Sequence, residues 1–274
     1  YGTIFAACES PYEKDLLWAA SDDGLINVSK DGGDNWENVT PSNAPDHIMW
    51  NSVEPDPFIK GGLYVAGTLY KTGDFKPYLY KTKDYGKTWI KITNGIPNNF
   101  FTRVLRADPK RQGLLYSGTE SGMFISFDDG SSWNSFQLNL PLVPITDLAL
   151  KDDNLIASTQ GRSIWIIDDL GPIHQINKEI ENSNFHIFSP IDSYRMGSRG
   201  WGGESASAGK NHHNGVEVFF NINKNIINDS SNISLETAMI YDLNGKLVSQ
   251  INLQDMQSER VIDVSSYATG VYMV

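Results

Sequence analysis

Ser29-Lys30-Asp31-Gly32-Gly33-Asp34-Asn35-Trp36, Thr82-Lys83-Asp84-Tyr85-Gly86-Lys87-Thr88-Trp89 and Ser126-Phe127-Asp128-Asp129-Gly130-Ser131-Ser132-Trp133 are three versions of one octet, [S/T]-x-D-x-G-x-x-W. They lie 53 and 44 residues apart, the length of one small antiparallel sheet with its connections, so the chain is built from structural repeats. The octet reads as a tight turn between two strands. Ser or Thr closes the outgoing strand, and the Asp two positions on can accept backbone N–H groups across the turn. Gly33, Gly86 and Gly130 supply positive φ, and the Trp three positions later opens the returning strand.

The octet is also the Asp-box (BNR) motif, and on it the chain resembles the Asp-box β-propellers: sialidases, xyloglucan hydrolases and sortilin-type receptor domains. Around each octet the sequence resolves into four short apolar runs bounded by Gly, Asp, Pro or Asn, the pattern of a four-stranded blade. Blade one runs over 3–40, with strands at Ile4-Phe5-Ala6-Ala7, Leu16 to Ala20, Leu25 to Val28 and Trp36 to Val39. Blade two is expected over 47–93, blade three over 102–138 and a fourth over 145–176, where Asp168-Asp169-Leu170-Gly171-Pro172 replaces the octet. The fold class expected is all-β, about four propeller blades followed by a small Ig-like β-sandwich. Propellers of this type usually close with more blades, so the chain is expected to be part of a larger propeller, its open edge covered by a missing N-terminal portion or a partner chain.

After Ile176 the character changes. Residues 177–214 are rich in Gly, Ser and Asn and read as a linker, whereas alternation returns over 215–274 and reads as the sandwich. Four segments in order, from Lys76 to Trp89, Gly113 to Glu120, Asn139 to Asp147 and Thr159 to Asp169, look like the sortilin-like, glycosyl-hydrolase-annotated BNR proteins secreted by bacteria, many of them Bacteroidetes. The tail, Met239 to Val248 with Ile262 to Val274, resembles the C-terminal sorting domain of the type IX secretion pathway. It lacks the Tyr-Pro-Asn-Pro opening such domains usually carry, and a generic post-propeller sandwich, which has a similar Asp-x-x-Gly-Lys turn, is the favoured reading of the tail. The resemblance implies a secreted or cell-surface bacterial protein.

Composition narrows the partners. A net charge of −11 argues against nucleic acid or anionic membrane, and no apolar run reaches the ~20 residues a membrane-spanning helix needs. Cys8 stands alone in an apolar strand, so no intrachain disulfide can form, and it reads as a buried small hydrophobe.

In a propeller the octet turn occupies one face, while the loops between strands two and three, and those between blades, occupy the other. The twelve motif residues Ser29, Asp31, Gly33, Trp36, Thr82, Asp84, Gly86, Trp89, Ser126, Asp128, Gly130 and Trp133 are therefore structural. The opposite face collects the carboxylates Asp22, Asp23, Asp74 and Glu120, the cations Lys71 and Arg162, and the aromatics Trp50, Tyr70, Phe75 and Phe100, together with His47, Phe101 and Arg103 from interblade loops. Such a set suits a sugar or a peptide. The ligand-binding candidates are Trp50, Tyr70, Lys71, Phe100 and Arg162.

If the chain is an enzyme, it is a glycoside hydrolase, and its two carboxylates come from Asp22, Asp23, Asp74 and Glu120. The arginines and the Tyr–Glu pair of a sialidase have no assignable positions. Against the catalytic reading, Asp-Asp-Gly and Glu-Ser-Gly are ordinary turn compositions, and Arg162 could instead pair with Asp147 or Asp168. His212-His213 would point to opposite sides of a strand and lacks a third ligand at metal spacing. Asp152-Asp153-Asn154 offers oxygens of the kind calcium takes, but in no EF-hand loop, so no cofactor is expected. The sequence supports three functions: a secreted binding or scaffold propeller recognising glycan or peptide, which is favoured, a glycoside hydrolase acting on a polysaccharide, and a structural module completing a propeller with another chain.

Overall fold

The computed structural model describes residues 2–192, 218–222, 237–242, 247–252 and 272–273. The chain forms two compact units, Tyr1–Ile167 and Asp168–Val274.

The first unit is all-β. Blade one comprises β1 (Ile4–Glu9), β2 (Leu17–Ser21), β3 (Ile26–Ser29) and β4 (Glu37–Asn38), and blade two β5 (Met49–Pro55), β6 (Leu63–Leu69), β7 (Asp74–Thr82) and β8 (Ile90–Lys91). Blade three comprises β9 (Thr102–Ala107), β10 (Leu115–Thr119), β11 (Gly122–Ser126) and β12 (Asn134–Ser135). Blade four has β13 (Ile145–Lys151), β14 (Asn154–Thr159) and β15 (Ile164–Ile167). Each sheet is an antiparallel meander in chain order. β1 packs on β5, β5 and β6 on β9, and β9 and β10 on β13, so the blades fan around their first strands. These are the propeller blades expected from the octets.

Alternation along the strands builds the fan. Leu63 and Val65 of β6 pack with Trp18, Ile26 and Val28 of blade one, whereas Tyr64 and Ala66, on the opposite side, pack with Leu105, Leu115 and Phe124 of blade three. β6, β10 and β11 are buried on both faces, which is why they read as nearly continuous apolar runs.

The octet turns follow one plan. The hydroxyls of Ser29, Thr82 and Ser126 each donate to their Asp at 2.8 Å and accept the N–H of Gly33, Gly86 and Gly130 at 2.8, 3.0 and 2.9 Å. Each Asp also accepts the N–H four residues on, from Asn35, Thr88 and Ser132, at 2.9, 2.9 and 2.8 Å. These hydrogen bonds to the ionised form, the Asn35 N–H first among them, hold Asp31 down to about 2. At Asp84 and Asp128 partial desolvation works the other way, but the hydrogen bonds outweigh it and both sit below the usual carboxylate range. Two consecutive residues with positive φ make the turn, Tyr85 with Gly86 and Asp129 with Gly130.

Blade four departs from the expected form. Among the described residues no fourth strand pairs with β15. Gly171–Gln175 is a helix, α1, with Pro172 in its first turn, where proline's fixed φ and missing N–H are tolerated. The stretch read as a linker from 177 also holds structure. Lys178–Asn182 is a second helix, α2, capped by the Asn177 side chain, and Phe185–Ile187 (β16) pairs with Phe220–Ile222 (β17). Within the tail read as a sandwich, Thr237–Asp242 (β18) lies between Leu247–Asn252 (β19) and Tyr272–Met273 (β20). The rest of the tail, the greater part of the linker and His212-His213 lie outside the described residues.

Candidate functional site

Each first strand of the fan carries one extra residue near its beginning. The register of β1 skips Phe5, that of β5 skips Asn51, that of β9 skips Arg103 and that of β13 skips Thr146. Such bulges bend a strand and re-aim one side chain. All four lie opposite the end of the second strand, on the face that carries the loops between strands two and three.

The bulge at Arg103 builds the most developed cluster on that face. Its Nε and Nη2 donate to Oε2 of Glu120 at 2.7 and 2.6 Å. Its guanidinium carbon lies 5.2 Å from the Phe101 ring centroid and 5.9 Å from that of Tyr70, within cation–π range. Tyr70 and Phe101 stack at 5.1 Å with planes 12° apart, and Phe75 tilts against Phe101 at 6.1 Å. Tyr70 and Lys71 stand on a 3-10 turn, Tyr70–Thr72, ended by Gly73 at φ 86°. Phe101 is buried, whereas Phe75 is 51% exposed. The result is an aromatic step backed by an ion pair and open to solvent at Phe75. At the equivalent bulge of blade two, Oδ1 of Asn51 is buried without a hydrogen-bond partner.

The carboxylates proposed for catalysis each have local partners. Asp22 accepts the Thr3 N–H at 2.7 Å and Asp23 accepts the Ser21 hydroxyl, both within blade one. Asp74 accepts the Tyr78 hydroxyl at 2.7 Å and the Lys76 N–H at 3.0 Å. Desolvation raises the Asp74 pKa, but these bonds and the Lys76 ammonium outweigh it and hold the carboxyl below its ordinary range. That is the wrong direction for a general acid, which must stay protonated. Glu120 is held by Arg103.

Two ligand-binding candidates belong to the core instead. Trp50 is fully buried and donates its Nε1 to the Gly24 carbonyl of blade one at 2.9 Å, because it directly precedes the bulge and points into the neighbouring blade. Phe100 packs edge-on against Phe124 at 6.1 Å, and its neighbour Phe101 takes the place in the aromatic step. Lys71 is nearby, its Nζ 3.8 Å from the Met49 sulfur. Arg162 lies apart, on the β14–β15 turn, where its carbonyl accepts the Trp165 indole N–H at 2.9 Å. Of the two partners open to Arg162, Asp147 or Asp168, Asp147 accepts from Arg106 instead, at 2.7 Å. The calcium-like acids are engaged as well, Asp153 with Lys110 at 2.6 Å and Asp152 with Lys151 at 3.1 Å.

A second polar cluster carries no motif in the sequence. Arg106 on β9 donates to the Leu148 carbonyl of β13 at 2.8 Å, to the Ser52 hydroxyl of β5 at 2.8 Å and to Asp147, tying the first strands of blades two, three and four together. Glu54 stands 3.6 Å from it. Burial pushes Glu54 up to about 7, a rise only partly opposed by Arg106 and the Ala107 N–H and aided by Asp147. Strand alternation alone does not find the site residues: Phe101 precedes β9, and Arg103 is the residue its register skips. Nothing in the sequence marks the bulges that aim them.

Residues 214–274 match the family model described as the secretion system C-terminal sorting domain. Of the two readings of the tail, this supports the sorting one, and it indicates a type IX secreted, cell-surface or extracellular location in bacteria. No curated protein matches the chain. Among solved structures, the chain is similar to a GH74 enzyme from Niastella koreensis, at 16% identity over 81% of this chain and 36% of that one, TM-score 0.49. It is also similar to YCF48 from Cyanidioschyzon merolae, at 16% identity over 61% of this chain and 53% of that one, TM-score 0.46. A structure of YCF48 bound to D1 peptide is 19% identical over 60% of this chain and 51% of that one, TM-score 0.46. The chain thus spans about half the length of the YCF48 structures.

Proposed function

We propose that this chain is an exported binding propeller whose ligand, a glycan or a peptide, docks on the aromatic step of blades two and three. Phe75 and the half-buried Tyr70 offer an apolar platform resting on the buried Phe101, Arg103 and Glu120 a charged edge, and Lys71 a flanking cation. The observation that carries this reading is the Arg103–Glu120 pair against the stacked Tyr70–Phe101 rings: a bulge aims a cation away from the strand ladder into an aromatic cluster. Apolar surface with a few convergent polar groups is what a ligand site requires.

The test is a glycan array and a peptide library probed in parallel with the wild-type chain and with Arg103→Ala. Binding present in the wild type and lost in the variant, with an unchanged unfolding midpoint, supports the reading. A signal indifferent to Arg103 would refute it. The alternative, a glycoside hydrolase, would need two of Asp22, Asp23, Asp74 and Glu120 facing each other across a groove, one of them protonated, and the local bonds of all four speak against it. A third reading, a module completing a larger propeller, is favoured by the exposure of Ile4 and Trp36 on the outer side of blade one, 68% and 47%.

A further inference from the structure

Two contacts recur wherever one blade of the fan meets the blade before it. At the outer end, the octet indole crosses the junction: Nε1 of Trp89 donates to the Val39 carbonyl and Nε1 of Trp133 to the Ile92 carbonyl, both at 2.7 Å. Val39 and Ile92 each directly follow the last strand of the preceding blade, and the octet glycine lies against the same residue. A Cβ on Gly86 would stand 2.6 Å from Val39, and one on Gly130 2.7 Å from Ile92. At the inner end, the residue just before each bulge plugs the preceding blade. Trp50 reaches the Gly24 carbonyl, and the Thr102 hydroxyl donates to the Gly67 carbonyl at 2.9 Å. Ile145 packs over Gly118, where a Cβ would come within 2.6 Å of it. All three plugging residues are fully buried.

Blade one carries both halves of this junction with nothing in front of them. Ile4 occupies the position of Trp50, Thr102 and Ile145 yet is 68% exposed. Trp36 occupies the position of Trp89 and Trp133 yet is 47% exposed against 3% for Trp133, and its Nε1 folds back onto the Gly33 carbonyl of its own turn at 3.0 Å. The space over Gly33 is lined only by Leu17 and Trp36 of the same blade. Gly32 stands where Tyr85 and Asp129 reach across the later junctions, so Trp36 and Ile4 make up the matching features.

We propose that the outer face of blade one is a blade–blade interface, and that its occupant is a further octet-bearing blade N-terminal to β1 in the same polypeptide. That blade would end in an apolar residue whose carbonyl accepts the Trp36 indole. This deepens the module reading and is independent of the ligand-binding one. A second copy of the chain does not offer the complementary edge: its Val39 and Ile92 carbonyls are already taken by Trp89 and Trp133, and its last blade has three strands among the described residues.

The test extends the chain by a known blade. A copy of residues 2–46, joined ahead of Tyr1, repeats the spacing from Val39 to Trp50 and sets a Val39 carbonyl before Trp36. Hydroxyl-radical footprinting read by mass spectrometry should label Trp36 and Ile4 in the chain alone; in the extended chain the original pair should lose its label while the copied pair, now on the uncovered face and carried on different peptides, keeps it. Trp36→Phe should leave the melting temperature of the chain alone unchanged and lower that of the extended chain by about 2–4 °C. A second extension, a copy of residues 47–98, presents an Ile92 carbonyl instead and guards against misfolding of the first. Persistent labelling of Trp36 in both extended chains overturns the proposal. So does a Trp36-dependent dimer of the unextended chain in sedimentation, which would make the occupant a second copy. Neither outcome bears on Arg103-dependent ligand binding.

Discussion

Arg103 and Glu120 are joined through a single carboxylate oxygen: Nε and Nη2 both donate to Oε2, and Oε1 takes no part in the pair. The guanidinium is thereby fixed over the Tyr70 and Phe101 rings with its other terminal nitrogen outside the fork. A ligand carboxylate, phosphate or hydroxyl could use that nitrogen without breaking the pair. Arg103→Ala removes both the charge and the contact with the rings, and is expected to weaken ligand binding at least about tenfold, roughly 1.4 kcal/mol. Glu120→Gln keeps an acceptor for the guanidinium and should cost less than Arg103→Ala, whereas in a hydrolase it would abolish turnover. Titration calorimetry on the two variants against the same ligand orders the effects.

The three octet tryptophans should differ in what they contribute to stability. Trp133 is 3% exposed and its indole bond crosses to blade two, so Trp133→Phe loses a buried hydrogen bond and leaves the Ile92 carbonyl without its partner. The expected cost is about 1–3 kcal/mol in urea unfolding. Trp36→Phe gives up only a bond within its own exposed turn and should change stability by less than about 0.5 kcal/mol. Equal costs at the two positions would show that the indole acts within its own turn and not across the junction.

That difference shows where sequence reading reaches its limit. The octet is a local object, since its Ser, Asp, Gly and the residue four past the Asp bond within one turn, and the turns at 29–36, 82–89 and 126–133 form as their residues dictate. The blades follow, because β6 and β11 read as apolar runs closed by turn residues. What the Trp does is not local: its hydrogen bond lands 50 residues back in Trp89 and 41 back in Trp133. The same holds for the site. By composition Trp50 and Phe100 suit a surface site as well as Phe101 does, but a bulge at Asn51 turns Trp50 into blade one and one at Arg103 brings Arg103 to Glu120. Bulges answer to the pairing of a whole strand, and no residue type announces them. Beyond β15 the chain runs into α1, where Pro172 is tolerated in the first turn but would interrupt a ladder.

Cys8 should be inert in the folded protein. Burial pushes its thiol up to about 12, and the Glu54 charge adds to that, against a smaller opposing effect of Arg106. Only the thiolate attacks disulfides and alkylating agents. Cys8 should therefore resist a chromogenic disulfide reagent at pH 8 and react at an ordinary rate once urea unfolds the chain. Rapid native reaction would mean that β1 opens far more readily than its place in the fan implies.

Glu54 gives the fold a dependence on pH near neutrality. The groups that face it are Arg106, 3.6 Å away, with Asp147 beyond and the Cys8 thiol from β1, and burial outweighs the arginine so that its proton is released only at about 7, against an ordinary 4.5. A raised carboxyl pKa means that the folded state binds the proton more tightly than the unfolded chain. The stability it contributes is complete below 4.5 and drains away as pH rises to about 7, above which the dependence is flat. Across that interval the loss is at most about 3 kcal/mol. The depressed carboxyls Asp84 and Asp128 act in the opposite sense and in a separate window, losing their contribution only as pH falls below their ordinary 3.8. Urea unfolding measured from pH 4 to 8 should thus show stability falling toward neutrality, and Glu54→Gln, which keeps the acceptor for the Ala107 N–H without the charge, should flatten that slope. A slope unchanged in Glu54→Gln would place the titrating group elsewhere in the chain.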